Sequence, residues 1–430
     1  MQAPDEASAH PAVERIWRAE AGKVTARLVR LVRDVDLAEE MAQEALVAAL
    51  ERWPESGVPD NPGAWLMATA KHRAIDELRR RRLVREKHDG ILKESEEGVT
   101  PDLDAMLDDD VGDDLLRLVF VACHPVLARE AQVALTLRLL GGLSTTEIAR
   151  AFLAPEPTIA QRIVRAKKTL AEKDIPFEVP RGPDLRPRLA AVLEVVYLVF
   201  NEGYSATVGE DWMRPALCED ALRLGTVLAQ LMPSEPDVHA LVALMEIQAS
   251  RTAARTSADG TPVLLLEQDR SLWEQARIER GLAALVRAEE IVSATAGVES
   301  DRTTPYILQA QIAACHAKAR TAPETDWRRI AALYATLGEI APSPIVELNR
   351  AVALAMAFGP AVGLELIDTI GPSPLLSGYH LLPSVRGDLL AKLGRYEEAR
   401  AELERAAKLT QNDRERQMLT LRARACRPKE

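Results

Sequence analysis

Seven side chains make the strongest case for chemistry in this 430-residue sequence. Glu202, Tyr204, Glu210 and Asp211 crowd into "NEGYSATVGED", and Glu267, Asp269 and Arg270 follow in "LEQDR". Carboxylates beside a tyrosine and an arginine can do general acid–base work when one pKa is raised and the groups converge on a substrate. Nothing in their spacing demands convergence. The sequence has no GxxxxGK[ST] phosphate loop and no GxGxxG, HExxH or GxSxG pattern. His124, His239, His316 and His380 stand singly on apolar or mixed stretches. Cys123, Cys218, Cys315 and Cys426 lie far apart, without metal-type spacing. The expectation is a protein that is not an enzyme and needs no cofactor or metal.

The elements that hold these residues are helical. Hydrophobic residues make up 47% of the chain and aromatics only 4%, with Ala, Leu, Glu and Arg dominant, a bias toward helix over sheet. The opening "MQAPDEASAHPAVERIW" is too polar for a signal peptide, and no apolar run reaches membrane-spanning length. Dispersed cysteines fit a reducing, cytoplasmic setting without a membrane. A formal net charge of −11 argues against nucleic-acid binding, but its distribution argues for it. Residues 62–87 hold eight Lys and Arg against three acids, and 89–114 hold eleven acids against Lys93. The acidic stretch reads as a flexible tether. "DIPFEVPRGPDLRPR" (174–188), with four prolines, marks a second boundary. The expected plan is an all-α chain with a first module at 10–87, an acidic linker at 88–112, a second module at 113–175 and a helical region at 185–430.

The second module contains "LSTTEIARAFLAPEPTIAQRIVRAKKTL" (143–170), which reads as a helix-turn-helix. Ser144 and Glu147 have the spacing of a capping box, Leu153-Ala154-Pro155 make a turn, and Pro157 suits a first helical turn. Ile159, Ile163, Ala166 and Leu170 form the apolar stripe. Thr158, Gln161, Arg162 and Arg165 lie opposite, with Lys167 and Lys168 at the end. Polar residues near the start of such a helix can read base edges while cations meet phosphates. The same pattern also fits an amphipathic helix with a solvated basic face.

In the first module, "DVDLAEEMAQEALVAALERWP" (34–54) reads as a helix capped by Asp36 and stopped by Pro54. Leu37, Met41, Leu46 and Leu50 face inward there. Glu39, Glu40, Gln43 and Glu44 stay outside, an acidic face suited to a basic protein partner. "NPGAWLMATAKHRAIDELRRRR" (61–82) puts Leu66, Met67, Ala70, Ala74 and Leu78 on one side. Trp65, Thr69, His72, Asp76 and Arg79 fall on the other, flanked by Arg73 and Arg80. An aromatic beside cations can stack bases and neutralise the phosphates of single-stranded DNA. A core tryptophan with a solvated arginine-rich helix end gives the same pattern.

Together and in this order, the two modules resemble an RNA polymerase sigma factor of the extracytoplasmic-function (ECF) type, over about residues 10–172. The resemblance implies that Asp36, Glu39, Glu40, Gln43 and Glu44 face the clamp helices of the polymerase's largest subunit. It implies that Asn61, Trp65, Lys71, Arg73, Asp76, Arg79 and Arg80 lie near a melted −10 element. Thr158, Gln161, Arg162, Arg165 and Lys168 would enter the −35 major groove of duplex promoter DNA. Glu156-Pro157 departs from the small apolar residue and Gly of many relatives, which puts contacts at the helix start in question. The acidic linker fits both a solubilising tether and an electrostatic mimic of RNA.

Further on, "LLAKLGRYEEARAELERAAKL" (389–409) has the Leu-Gly-x-Tyr-x-x-Ala pattern of a tetratricopeptide repeat. "ALAMAFGPAVGLELI" (353–367) and the pair within 305–340 repeat it weakly, and helices around 216–232 and 237–254 extend the array. "DDLLRLVFVACHPVL", "YLVFNEGYSAT" and "LLLEQDRSLWE" resemble the ECF subgroup with a tetratricopeptide-like extension. Ala122 stands where that subgroup has a cysteine before Cys123. The resemblance implies that the extension controls activity in place of a dedicated anti-sigma factor. The alternative is a helix-turn-helix regulator with a repeat sensor domain. Asn201, Glu202, Gly203 and Tyr204 then read as a structural hinge: Asn201 and Gly203 end a buried helix, and Glu202 and Tyr204 fix the corner by hydrogen bonds.

Overall fold

The computed structural model describes residues 6–427 apart from 89–110, 153, 207, 210–211, 258–259, 296–303, 372 and 374–375. Most of the proposed acidic linker therefore lies outside the described residues, as do Leu153, Glu210 and Asp211. The described chain is all-α except for one pair of two-residue strands, and it divides into two compact units, residues 1–196 and 197–430.

The first unit opens with three long helices that pack mutually: α1 (Glu6–Val32), α2 (Val35–Ser56) and α3 (Pro62–His88). Val13, Leu28, Leu37, Met41, Trp53 and Leu66 are among their buried residues. The cap of α2 is Asp34 rather than Asp36, because its carboxylate accepts from the amides of Asp36 and Leu37 at 2.9 and 3.2 Å. Pro54 does not stop α2. It sits in the last turn, where the helix runs on to Ser56 and the Gly57 N–H closes it by donating a hydrogen bond to the Trp53 carbonyl. Leu46 and Leu50 are only half-buried, and the alanines at 42, 45, 48 and 49 let α1 and α3 approach instead.

Four further helices follow: α4 (Val111–Ala122), α5 (Arg129–Leu139), α6 (Thr145–Ala151) and α7 (Glu156–Glu172). Phe120, Leu135, Leu137, Ile148 and Ile159 are fully enclosed among them. This second bundle packs on the first, α4 and α5 against α1, and α7 against α2. The Trp17 indole N–H donates to the Gly142 carbonyl at 3.1 Å across that seam. Gly142 has φ +70°, and a Cβ there would meet Ala21 at 2.9 Å and the Trp17 ring at 3.2 Å. Only glycine meets both demands.

Helix α8 (Leu185–Tyr204) contributes Leu189, Val192, Leu193, Val195 and Val196 to the buried residues of the first unit. It does not end at Asn201, because the Ser205 amide reaches back to the Asn201 carbonyl at 2.8 Å and carries the helix to Tyr204. Gly203 allows a close approach here rather than an end: a Cβ would stand 2.7 Å from the backbone nitrogen of Cys218.

The second unit continues with α9 (Pro215–Leu231), α10 (Pro236–Ala249), α11 (Gln275–Thr295), α12 (Pro305–Lys318) and α13 (Trp327–Ile340). Then come α14 (Pro344–Phe358), α15 (Pro360–Ile370), α16 (Leu381–Lys392), α17 (Tyr396–Leu409) and α18 (Asp413–Ala425). Each packs on its sequence neighbours, and α10 also packs on α12. Proline in the first turn of α9, α10, α12, α14 and α15 fits an N-terminal position whose amide needs no helical acceptor. Strands β1 (Val208–Gly209) and β2 (Gln411–Asn412) pair in parallel. The Asn412 side chain adds a bond to the Ala206 carbonyl at 3.1 Å, tying the end of α8 to the start of α18.

Candidate polymerase and promoter interface

The helix-turn-helix forms as its residues dictate. The Ser144 amide donates to the Glu147 carboxylate at 2.7 Å, and the Glu147 amide donates to the Ser144 hydroxyl at 3.1 Å, a closed capping box at the start of α6. Arg18 of α1 adds an ion pair to Glu147 at 2.5 Å. Burial raises the Glu147 carboxyl, yet the Ser144 bonds and Arg18 more than offset this and leave its pKa lowered. In α7, Ile159, Ile163, Ala166 and Leu170 are buried. Thr158, Gln161, Arg165 and Lys168 are exposed and Arg162 is half-buried. Lys168 lies 3.6 Å from Glu172, one turn along the same face. Glu156 is exposed in the first turn. Lys167 is not part of this face. It turns inward to the acids of α2.

Before α3, the Asn61 side-chain oxygen Oδ1 accepts from the Ala64 amide at 3.0 Å and begins the helix. Leu66, Ala70 and Ala74 are buried, but Leu78 is exposed. Trp65 is half-buried and meets Trp53 edge to face, with ring centroids 5.3 Å apart. It is therefore neither a free stacking surface nor a full core residue. Lys71 is half-buried and His72 exposed. Arg73 pairs with Glu44 of α2 at 2.5 Å, so a residue expected at DNA and one expected at polymerase hold each other. Asp76, Arg79 and Arg80 are largely exposed, with Arg79 3.9 Å from Asp76 and Arg80 2.8 Å from Glu77. Arg80 and Arg81 hold the Glu77 carboxyl below the usual range.

The acidic face of α2 is divided. Glu40 is exposed and Gln43 and Glu44 are half-buried, as an outward face requires. Glu39 is not outside: its side chain is 7% exposed. Arg138 of α5 lies 2.5 Å from one carboxylate oxygen and Lys167 of α7 lies 2.8 Å from the other. Lys167 also binds the more exposed Asp36. Burial alone would lower the Lys167 pKa, but Glu39 and Asp36 outweigh it and hold the ammonium's pKa above its ordinary value. A carboxylate this enclosed needs such compensation.

At the end of α8, Glu202 pairs with Arg214, both side chains being nearly enclosed. The Arg214 amide also donates to the Gly203 carbonyl at 2.7 Å. The Tyr204 ring lies under the Arg255 guanidinium, 3.6 Å from centroid to carbon, and its carbonyl accepts from Arg255 at 2.9 Å. Asn201 is half-buried. Among the described residues, the acid–base candidates do not gather here: Glu267 and Asp269 are exposed, and Arg270 donates to the carbonyls of His316 and Ala319. Among the described residues, no cluster of His, Cys, Asp and Glu could hold a metal, and no helix is long and apolar enough to cross a membrane.

The helices that carry these faces match known families. Residues 16–84 match the family model for Sigma-70 region 2, and residues 117–170 match that for Sigma-70, region 4. A probable ECF RNA polymerase sigma factor, SigI of Mycobacterium tuberculosis, is 28% identical over 179 residues, 40% of this chain and 59% of that protein. The chain belongs to the sigma-70 family, ECF type. An uncharacterised protein of Rhizobium meliloti is 42% identical over 386 residues, 90% of this chain and 89% of its own. That likeness includes the extension of this sigma factor, where residues 188–289 match a family of unknown function, DUF6596.

Sigma-70 regions 2 and 4 imply interaction with core RNA polymerase and promoter DNA, and sigma factors are not enzymes. Sequence reasoning missed Arg138, Lys167, Arg18 and Trp53 as determinants of the region 2 and region 4 surfaces. Their partners lie in other helices, beyond the reach of a local pattern.

Proposed function

We propose that this sigma factor binds core polymerase through α2, using Asp36, Glu39, Glu40, Gln43 and Glu44 on the clamp helices. It directs initiation by melting the −10 element with Asn61, Trp65, Lys71, Arg73, Asp76, Arg79 and Arg80, and by reading the −35 element with Thr158, Gln161, Arg162, Arg165 and Lys168. The observation that carries this reading is the outward face of α7. Thr158, Gln161, Arg162 and Arg165 make no side-chain bond among the described residues, on a helix whose opposite stripe is buried. Polar and cationic side chains held ready in this way suit base edges and phosphates. The domain plan is region 2 at 10–87, an acidic linker at 88–112, region 4 at 113–175 and a tetratricopeptide-like extension at 185–430. The extension governs activity in the cytoplasm without a dedicated anti-sigma factor, and Asn201, Glu202, Gly203 and Tyr204 serve as its structural hinge. The test is run-off transcription with purified core polymerase. Promoter binding without initiation by core enzyme would instead identify a helix-turn-helix regulator with a sensor domain.

A second reading rests on the Glu39 cluster. In the free protein, region 4 covers part of the region 2 surface that polymerase needs. Asp36 and Glu39 must exchange Lys167 and Arg138 for polymerase cations, so opening of the two regions precedes or accompanies docking.

A further inference from the structure

Three arginines of the extension, Arg251, Arg255 and Arg270, form no ion pair with a carboxylate among the described residues. Arg251 is 8% exposed, yet its guanidinium makes no hydrogen bond or ion pair among the described residues, and its Nε is an orphan. It lies over two rings, 5.7 Å from the centroid of Tyr204 and 5.7 Å from that of Trp273. Arg255 covers Tyr204 at 3.6 Å and Trp212 at 5.6 Å. Arg270 covers Trp273 at 4.8 Å. The order Trp212, Arg255, Tyr204, Arg251, Trp273, Arg270 is thus an alternating ladder of aromatic rings and cations.

Among the described residues, the hydrogen-bond acceptors of these cations are neutral. Arg255 donates to the Tyr204 carbonyl and the Met213 sulfur, and Arg270 to two carbonyls and the Thr325 hydroxyl. Glu202, beside Tyr204 at the end of α8, is paired with Arg214. Arg270 Nε, Trp273 Nε1 and His316 Nδ1 are further buried polar atoms without a partner. Burial, then Arg251 and Arg270, push the His316 imidazole down to about 3, so it stays neutral rather than adding a fourth charge. Desolvating a cation costs more than a cation–π contact returns, and buried charges are ordinarily paired. Trp212, Tyr204 and Arg255 are half-buried, which gives one end of the ladder access from outside.

We propose that this ladder is a binding site for a small oxyanion, a carboxylate or phosphate group, with Arg251 as its anchor. The guanidinium fork of Arg251 supplies paired donors to two oxygens, and the flanking rings fix its plane. Binding supplies Arg251 with a charged partner where the end of α8, the end of α10 and α12 meet, so occupancy stabilises the extension. The inference does not depend on promoter recognition, because binding is measured without polymerase or DNA.

The test uses the full-length protein, with isothermal titration and thermal unfolding in inorganic phosphate or succinate, against chloride at matched ionic strength. One or both oxyanions should raise the unfolding temperature beyond the chloride control, the better one identifying the group. Arg251→Gln should weaken that binding at least tenfold. If Arg251→Gln does not fold, Arg255→Gln at the accessible end carries the same comparison. Wild-type protein indifferent to both oxyanions, or a folded variant that binds as wild type does, overturns the proposal.

Discussion

Lys167 and Glu39 stand 128 residues apart in the chain, yet the ammonium nitrogen lies 2.8 Å from a carboxylate oxygen. A residue near the end of the proposed promoter-reading helix thereby holds one from the proposed polymerase-docking helix. Arg138 closes the other side of the same carboxylate. The two sigma regions are thus latched through charge as well as through the Trp17 seam.

Lys167→Ala should loosen the latch while leaving Glu39 paired with Arg138. The affinity for core polymerase should rise about fivefold, which corresponds to roughly 1 kcal/mol. Fluorescence anisotropy of labelled protein titrated with core enzyme measures it. Unchanged or weaker affinity in a folded variant contradicts a latch that competes with docking.

Within α7, substitutions should separate reading from anchoring. Gln161→Ala should cost about 1–3 kcal/mol on the preferred −35 sequence and relax preference at one base position. Arg165→Ala should weaken binding similarly on all sequences and reduce the salt slope by about 1. Binding titrations of holoenzyme at several salt concentrations distinguish the two.

Trp65→Ala removes both an edge-to-face partner of Trp53, worth about 0.5–1.5 kcal/mol, and a surface on which an unstacked base can rest. Permanganate reactivity of −10 thymines should fall about tenfold or more, since one lost base–aromatic contact is worth about 1–3 kcal/mol. Binding of the closed duplex should persist. Normal melting would leave Trp65 with a packing role alone.

At the end of α8, Glu202→Gln leaves Arg214 nearly enclosed beside a neutral amide. Breaking a buried pair from one side costs about 3 kcal/mol. Urea unfolding of the extension and transcription should therefore weaken together, and Tyr204→Phe should act in the same direction. Lost transcription with unchanged unfolding would make this corner a contact site instead.

His316 gives the extension a pH dependence of known sign. Its folded pKa of about 3 lies below the ordinary 6.5, so the unfolded chain binds the proton first as pH falls. The contribution is intact above pH 6.5 and is lost progressively below it, by about 2–3 kcal/mol at pH 4.5. Comparing urea midpoints of wild type and His316→Asn at pH 7 and pH 4.5 checks it. The variant should lose less stability on acidification, and equal losses would contradict the assignment.

Much of this molecule is local, and local features are legible in sequence. The Ser144–Glu147 box and the stripe of Ile159, Ile163, Ala166 and Leu170 follow from spacing within two turns. Boundaries were less legible: Asp34 and Asp36 are both competent caps, and Pro54 is tolerated once the turn beyond it has a glycine to close on. The burial of Glu39 was illegible for a different reason. A helical pattern assigns a residue to a face but does not say what covers that face, and Arg138 and Lys167 arrive from 99 and 128 residues away. Arg251 and Arg255 are inconspicuous in "SRTAART", because a buried cation is recognised only by its surroundings.

The central claim is that this chain makes core polymerase start at promoters, and run-off transcription on a genomic promoter library tests it most directly. Purified core enzyme alone should yield no discrete product. Addition of the protein should yield promoter-dependent transcripts, which Arg79→Ala with Arg80→Ala reduces. Discrete DNA binding with no transcript from core enzyme plus protein would contradict the account.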